Sequence, residues 1–354
     1  MKKIAVVIGD LGMPGGAEKV AADLLTEFHR RGHAVTVITF EERTKAGYLQ
    51  TPARELHVPL PSRAGNVLVQ LRLLFQRARA FRALFQQEGF DHVYAFLESA
   101  NLPCALASRE VVLSVHIDPD EWTFRQLLLI RLLFRRVRKV IAVSDNMLAK
   151  LQQRAQLQNG VRIHNPVITD LVLHRSQETL KLSGPFILAV GRLNSLKRFD
   201  RLLRAFAMTT LKHECKLVIL GEGELRQQLE QQIRRSGLQG RVVMPGYESN
   251  PYKYMAKATF QVMSSDTEAY PVVLIEALSL GCPVISTDCP SGPREIIRPG
   301  VNGFLVPLED EQALSREMDR LYYAPDLRAR LARRAPESVR ANDIRLVADA
   351  WLAV

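Results

Sequence analysis

Cysteine is scarce in this chain: four in 354 residues, at Cys104, Cys215, Cys282 and Cys289, with no C-x-x-C pair among them. That scatter excludes a disulfide-stapled fold and speaks against a zinc ribbon or a redox dithiol; reduced thiols in a cytosolic protein are expected. Long apolar runs are missing too. The most apolar tract, Leu127 to Phe134, is broken by Arg131 and ringed by Arg125, Arg135, Arg136 and Arg138, so it falls short of the ~20 residues that a bilayer span needs. Met-Lys-Lys at the start leads into the apolar run Ile4 to Ile8, too brief for a signal peptide and without a small-residue cleavage site after it, so secretion is not expected. There is no low-complexity run and no internal repeat. What remains is ordinary: 47% apolar, 7% aromatic and 24% charged residues, which excludes disordered and collagenous chains. The length suits two domains, each with its own core.

The charge is uneven. The net +11 divides into an excess of eight cations over residues 1–175 and three over residues 176–354. Nucleic acid, anionic lipid and phosphorylated small molecules are all attracted by such a balance, and charge alone does not choose among them.

Lys3 to Gly9 reads as a buried strand, Gly15 to Arg31 has helical periodicity, and Ala34 to Phe40 reads as a second strand closed by Glu41-Glu42. The same βαβ grammar returns with strands predicted at Phe186 to Val190, Lys216 to Leu220, Arg241 to Met244, Phe260 to Met263 and Pro283 to Thr287. Alternation of this kind calls for parallel sheets covered on both faces. Two series imply two doubly wound domains, with a turn-rich linker predicted between Asn165-Pro166 and Gly184-Pro185. Ligands of open α/β sheets lie beyond the carboxyl ends of the strands, so two such domains are expected to hold theirs in a cleft between them.

Three segments carry candidate chemistry. The first is the turn Gly9-Asp10-Leu11-Gly12-Met13-Pro14-Gly15-Gly16-Ala17-Glu18, whose glycine intervals do not match a dinucleotide fingerprint. It is either a tight turn or a place where the amides of Gly15 and Gly16 meet a phosphate or sugar oxygen. The second, Gly191-Arg192-Leu193-Asn194-Ser195-Leu196-Lys197-Arg198, follows a predicted strand. It is either an exposed basic loop or two cations that stabilise a departing diphosphate.

The third runs from Ser264 to Ala277 and holds Glu268, Pro271 and Glu276. Pro271 suits the start of a helix, where the amides of Val272, Val273 and Leu274 would point at an anion. Glu276 either complements the helix dipole or is buried against hydroxyls such as those of a ribose; Glu268 is either a solvated loop acid or a second ligand-facing carboxylate.

Glu268 and Glu276 form an E-x7-E motif. With Gly191-Arg192, Lys197, Gly221-Glu222-Gly223, Ala277-Leu278-Ser279-Leu280-Gly281 and Pro283-Val284-Ile285, the sequence resembles the retaining glycosyltransferases of family GT4. Gly15-Gly16-Ala17-Glu18-Lys19 extends the likeness into the first half. Phe96-Leu97-Glu98-Ser99-Ala100-Asn101, Asn165-Pro166-Val167 and Ser291-Gly292-Pro293-Arg294-Glu295-Ile296-Ile297 are similar to the subset that builds bacterial surface glycans on lipid carriers or lipopolysaccharide core.

The resemblance implies the α/β GT-B fold, two Rossmann-like domains facing across a cleft, with residues 1–175 on the acceptor side and 176–354 binding the nucleotide sugar, and with room for the last helix to pack back on the first domain. It implies transfer of a sugar from a nucleoside diphosphate sugar, here a UDP-sugar, to a hydroxyl of a lipid-linked or lipopolysaccharide glycan with the anomeric configuration kept. Arg192 and Lys197 would bind the diphosphate beside Gly191, Glu276 the ribose, Glu268 the transferred sugar, and Tyr247 would lie by the base. The Pro271, Val272, Val273 and Leu274 segment and the Gly15-Gly16 turn would meet phosphate or sugar, and His116 would face the donor sugar. No cofactor is implied. No metal is either, Arg192, Lys197 and the helix dipole being expected to meet the leaving group's charge in its place.

The family usually has Glu-Gly-Phe where this chain has Glu268-Ala269-Tyr270, which bears on backbone approach to the sugar. The partners implied are the donor and a lipid-linked acceptor, not nucleic acid. The implied location is the cytoplasm, peripheral at most on the inner membrane. The arginines of 125–138, and a helix from Leu68 to Gln87 with Leu71, Leu74, Phe75, Ala78, Phe81 and Phe85 on one stripe, either meet an anionic membrane surface or belong to ordinary surface helices. Two other classes stay open on the residues: a nucleotide-sugar epimerase on the same fold, and a polyanion-binding protein without catalysis.

Overall fold

The computed structural model describes residues 1–12, 15–41, 51–60 and 67–354. Met13 and Pro14 of the glycine-rich turn, and Glu42, lie outside them. The described chain divides into two units, Met1–Pro166 with Ile344–Val354, and Val167–Asp343.

The first unit is built on β1 (Lys3–Ile8), β2 (Ala34–Thr39), β3 (Arg54–His57), β4 (His92–Phe96), β5 (Val112–Val115), β6 (Lys139–Ala142) and β7 (Gly160–Arg162). They form one parallel sheet in the order β3-β2-β1-β4-β5-β6-β7, with Val6 opposite Val37 on one side and Tyr94 on the other. Central strands such as β1 are continuous apolar runs because helices cover both of their faces. The second unit holds β8 (Phe186–Val190), β9 (Lys216–Leu220), β10 (Val242–Gly246), β11 (Gln261–Met263), β12 (Val284–Thr287) and β13 (Gly303–Val306). Its parallel order is β10-β9-β8-β11-β12-β13, and its core runs through Ile187, Leu203, Phe206, Leu217, Val262, Ile285 and Met318. The order reverses beside β1 in one sheet and beside β8 in the other, the places where doubly wound sheets open a crevice at their carboxyl ends.

Three sequence readings need correction. The first unit's stretch ends at Pro166, not at 175. Where a linker was expected, a helix forms over Thr169–Ser176, because Val172 is buried and Asn250 donates its side-chain amide to the Arg175 carbonyl at 2.9 Å, tying the segment into the second unit. The helix Val67–Glu88 does form, but its stripe splits: Ala78 and Phe81 are buried while Leu71 and Phe75 are exposed.

The terminal helix Ile344–Leu352 belongs to the first unit. It is held by Arg31 to Asp349 at 2.5 Å, and by the Tyr94 hydroxyl donating to the Trp351 carbonyl at 2.7 Å. The Trp351 ring meets Tyr94 edge-on and stacks on Phe96. Among the described residues no helix is long and apolar enough to cross a membrane.

Candidate functional site

In the second unit the segment after β8 crosses the carboxyl end of the sheet. Gly191 leaves the strand, Asn194 caps a 3₁₀ turn over Ser195–Lys197 by accepting from the Lys197 amide, and Arg198 takes a left-handed conformation (φ 47°) before the helix Phe199–Met208. The Arg198 guanidinium is tied to Asp200 and, at 2.8 Å, to Asp266. Asp266 also meets buried Arg201 at 2.7 Å, and the Ser264 hydroxyl donates to the carbonyls of Lys197 and Arg198. The loop after β8 and the loop after β11 are thus one locked piece.

The Gly221-Glu222-Gly223 turn is clamped against the same loop. A Cβ on Gly221, whose φ is +143°, would fall on the Gly191 carbonyl oxygen, and one on Gly223 would fall on the Leu193 backbone. Both positions need glycine because two backbones touch there.

This scaffold brings Lys197 and Glu268 together. Lys197 Nζ lies 2.5 Å from Glu268 Oε1, and the Ser265 hydroxyl donates to the same oxygen at 2.6 Å. Glu268 retains only 11% of its side-chain exposure, so it is not a solvated loop acid. Arg192 is exposed and forms no ion pair among the described residues. Gly191 packs against the aliphatic stem of Lys197. Tyr247 stands just after β10 and is exposed.

Glu276 sits on the helix Val272–Ser279, which Pro271 precedes, and is 3% exposed. The burial that called for hydroxyls around it is met in part by the protein: the Tyr252 hydroxyl donates to Glu276 Oε1 at 3.1 Å. A further correction concerns Leu274. Its amide is taken by the Pro271 carbonyl at 3.1 Å as the first turn tightens, leaving only those of Val272 and Val273 without a backbone acceptor among the described residues.

Gly292 (φ +81°) packs on the start of this segment, where a Cβ would stand 2.8 Å from Pro271 Cδ and 2.9 Å from the Ala269 oxygen. Ala269 itself avoids positive φ, so the missing family glycine leaves no strain. Tyr270 is buried and accepts from the Asn342 side-chain amide at 3.2 Å.

The remaining candidates belong to the first unit. Gly15 is the N-cap of the helix Gly16–Arg30, with the Glu18 carboxylate folded over it, while open space surrounds Gly16. His116 follows β5; its Nε2 meets the Ser114 hydroxyl at 2.9 Å and its ring stacks on Phe96. Desolvation pushes the imidazole down to about 4, so it is neutral at physiological pH. The Ser114 carbonyl in turn accepts from the Asn101 side chain at 2.9 Å.

The sequence's one Asp-x-Asp, Asp118-Pro119-Asp120, is also here, and its carboxylates pair with Lys150 at 2.6 and 2.7 Å. The three cysteines of the second unit, Cys215, Cys282 and Cys289, are buried and free, and burial raises each thiol to about 12, which keeps them unreactive.

Sequence reasoning missed Ser265, Tyr252 and the Arg198–Asp266–Arg201 cluster. Ser265 and Asp266 stand just before the E-x7-E motif, and their proximity to Glu268 was the available signal. Tyr252, 24 positions from Glu276, gave none.

Residues 173–338 match the family model "Glycosyl transferases group 1" and residues 14–171 match "Glycosyltransferase Family 4". The chain is 30% identical, over 99% of its length and 98% of the relative's, to the Campylobacter jejuni N-acetylgalactosamine-N,N'-diacetylbacillosaminyl-diphospho-undecaprenol 4-alpha-N-acetylgalactosaminyltransferase. It is 33% identical to the Salmonella typhimurium lipopolysaccharide 1,6-galactosyltransferase over 47% of each chain. Among solved structures, Anabaena HepE in complex with UDP and glucose superposes with a TM-score of 0.82 at 23% identity, covering 100% of this chain and 99% of that one. A Rickettsia africae glycosyltransferase gives 0.82 at 18% identity, covering 99% and 97%. These likenesses show the GT-B fold.

Proposed function

Since this chain belongs to the glycosyltransferase family of group 1 and Family 4 and is itself a glycosyltransferase, we propose that it moves a sugar from a UDP-sugar to a hydroxyl of a lipid-linked or lipopolysaccharide glycan, with retention and without a metal. The observation that carries this reading is the Lys197–Glu268 contact at 2.5 Å, on a segment that also bears unpaired Arg192. Lys197 has three N–H donors and spends one on Glu268, so two are available to a diphosphate oxygen. Arg192 adds a forked donor, and the Val272 and Val273 amides add the positive end of a helix. Charge that grows on the departing UDP is met by groups already in place.

In the proposed step the acceptor oxygen bonds to the anomeric carbon on the face from which the UDP oxygen leaves, and the hydroxyl proton passes to that departing oxygen. Glu268 is assigned the sugar rather than a nucleophilic role, because its Oε1 already accepts from Lys197 and Ser265. Its other oxygen suits a sugar hydroxyl. Glu276 is assigned the ribose and Tyr247 the base.

The Campylobacter relative's name specifies a diphospho-undecaprenol acceptor and the Salmonella relative's a lipopolysaccharide, which supports the acceptor class. The test is incubation of a panel of UDP-sugars with an undecaprenyl diphosphate-linked glycan, with the product's anomeric coupling read by NMR. Retention that persists in EDTA is expected; an inverted product, or loss of turnover restored by a divalent ion, would contradict the reading.

A further inference from the structure

Arg198 stands where the backbone is forced. Its φ of 47° and ψ of 43° are left-handed, a conformation that a side chain with a Cβ disfavours and that glycine or asparagine adopts more readily. What holds it there is its own guanidinium. The group forks onto Asp200, Nε at 3.0 Å and Nη2 at 3.2 Å, and gives Nη1 to Asp266 at 2.8 Å. Asp200 lies in the first turn of the helix Phe199–Met208, whereas Asp266 belongs to the loop after β11, so one side chain ties together the two segments that flank Lys197.

The backbone around Lys197 is fixed on both sides. The Arg198 carbonyl accepts from the Arg201 and Leu202 amides, which starts the helix, and from the Ser264 hydroxyl at 3.0 Å. The Leu196 carbonyl accepts from the Asp266 amide at 2.9 Å. Lysine carries its ammonium on a flexible four-carbon stem, so the charge is placed only as well as the backbone beneath it. The ion pairs favour a role in position over one in charge. Arg198, Arg201 and Arg204 are matched by Asp200, Asp266 and Glu311 at 2.7 to 3.0 Å, and the cluster therefore adds no net charge beside Lys197.

We infer that Arg198 is a positioning residue for Lys197: its grip on Asp200 and Asp266 holds the left-handed turn that aims the ammonium at Glu268 and at a diphosphate. The inference rests on the diphosphate role proposed above for Lys197.

The test is calorimetry of the full chain with UDP and with uridine, which lacks the diphosphate. Arg198→Gly and Arg198→Asn both suit a left-handed backbone and both remove the fork, so each should keep the wild-type circular dichroism. Each should weaken UDP binding by about tenfold and leave uridine binding unchanged. Lys197→Ala/Arg198→Gly should bind UDP as Lys197→Ala does, because Arg198 acts through Lys197. Wild-type UDP affinity in both Arg198 variants would overturn the inference, while a weakened Lys197→Ala would leave the diphosphate reading standing. A further loss of the same size in the Lys197→Ala background, or an equal loss of uridine binding, would overturn it too, since either marks a general disturbance of the unit. Lys197→Ala binding UDP like the wild type would remove the diphosphate reading and this inference with it.

Discussion

Tyr252 and Glu276 show how far a residue's surroundings can be read from its type. A glutamate among Val273, Leu274, Ala277 and Leu278 announces that it needs a partner, and the structure supplies a phenol from a helix 24 positions earlier. No local pattern links those two positions, so the pairing was not legible. Removing the phenol's O–H while keeping its ring leaves a buried carboxylate oxygen short of a donor, a loss of about 1–3 kcal/mol. Tyr252→Phe is therefore expected to lower the unfolding free energy from urea titration by that amount and to weaken UDP binding in calorimetry. Lys197 makes the complementary case: its place in a loop after a strand singled it out as a candidate, but its contact with Glu268 was not legible. Lys197→Ala should reduce UDP release in the transfer assay by about 10²-fold or more with secondary structure intact by circular dichroism. A rate within a few-fold of wild type would remove it from the site.

The loops at the carboxyl end of the second sheet act as one element. Gly221 and Gly223 are glycines because the backbone of Gly191 and Leu193 occupies the space of a Cβ, and Gly221 adds a positive φ. Gly221→Ala should push the basic loop off Glu268, costing both stability and turnover, measured as a lowered melting temperature and a slower rate together; a stable but slow protein would show the clash is absorbed locally. Five of the six strands of this half were legible from periodicity to within about two residues, since each βα step buries a continuous apolar run, whereas β13 was not read. The linker was misread because Asn-Pro and Ser-Gly-Pro turn signals flank a helix whose few anchors, Val172 and the Arg175 carbonyl, carry no periodic signal of their own. The stripe of the helix Val67–Glu88 was misread for a different reason. Periodicity reports which residues share a face, not which of them the rest of the fold covers.

The first unit answers to acid through three of its histidines. In the first, desolvation lowers His33, with the amino terminus and Lys2 adding to it; burial likewise lowers His92, next to Lys2 and Arg138, and pushes His116 down to about 4. Each native histidine binds protons less readily than in the unfolded chain, whose histidines titrate near about 6.5. The stability they contribute is present above that pH and is lost as pH falls toward 4. Denaturant midpoints measured from pH 7 to 4 should decline across that window, and His116→Asn should make the decline shallower; a flat profile would show that the imidazoles are not held neutral.

For the whole molecule, family and fold came through in short motifs, whereas base, sugar and acceptor depend on contacts that motifs do not encode. The central claim is that Lys197 and Glu276 hold a uridine diphosphate on the second unit. Isothermal titration calorimetry with UDP, and with GDP as comparator, tests it most directly: the wild type should bind UDP in preference to GDP, and Lys197→Ala and Glu276→Ala should each weaken UDP by about tenfold or more, whereas wild-type UDP affinity in both variants would contradict it.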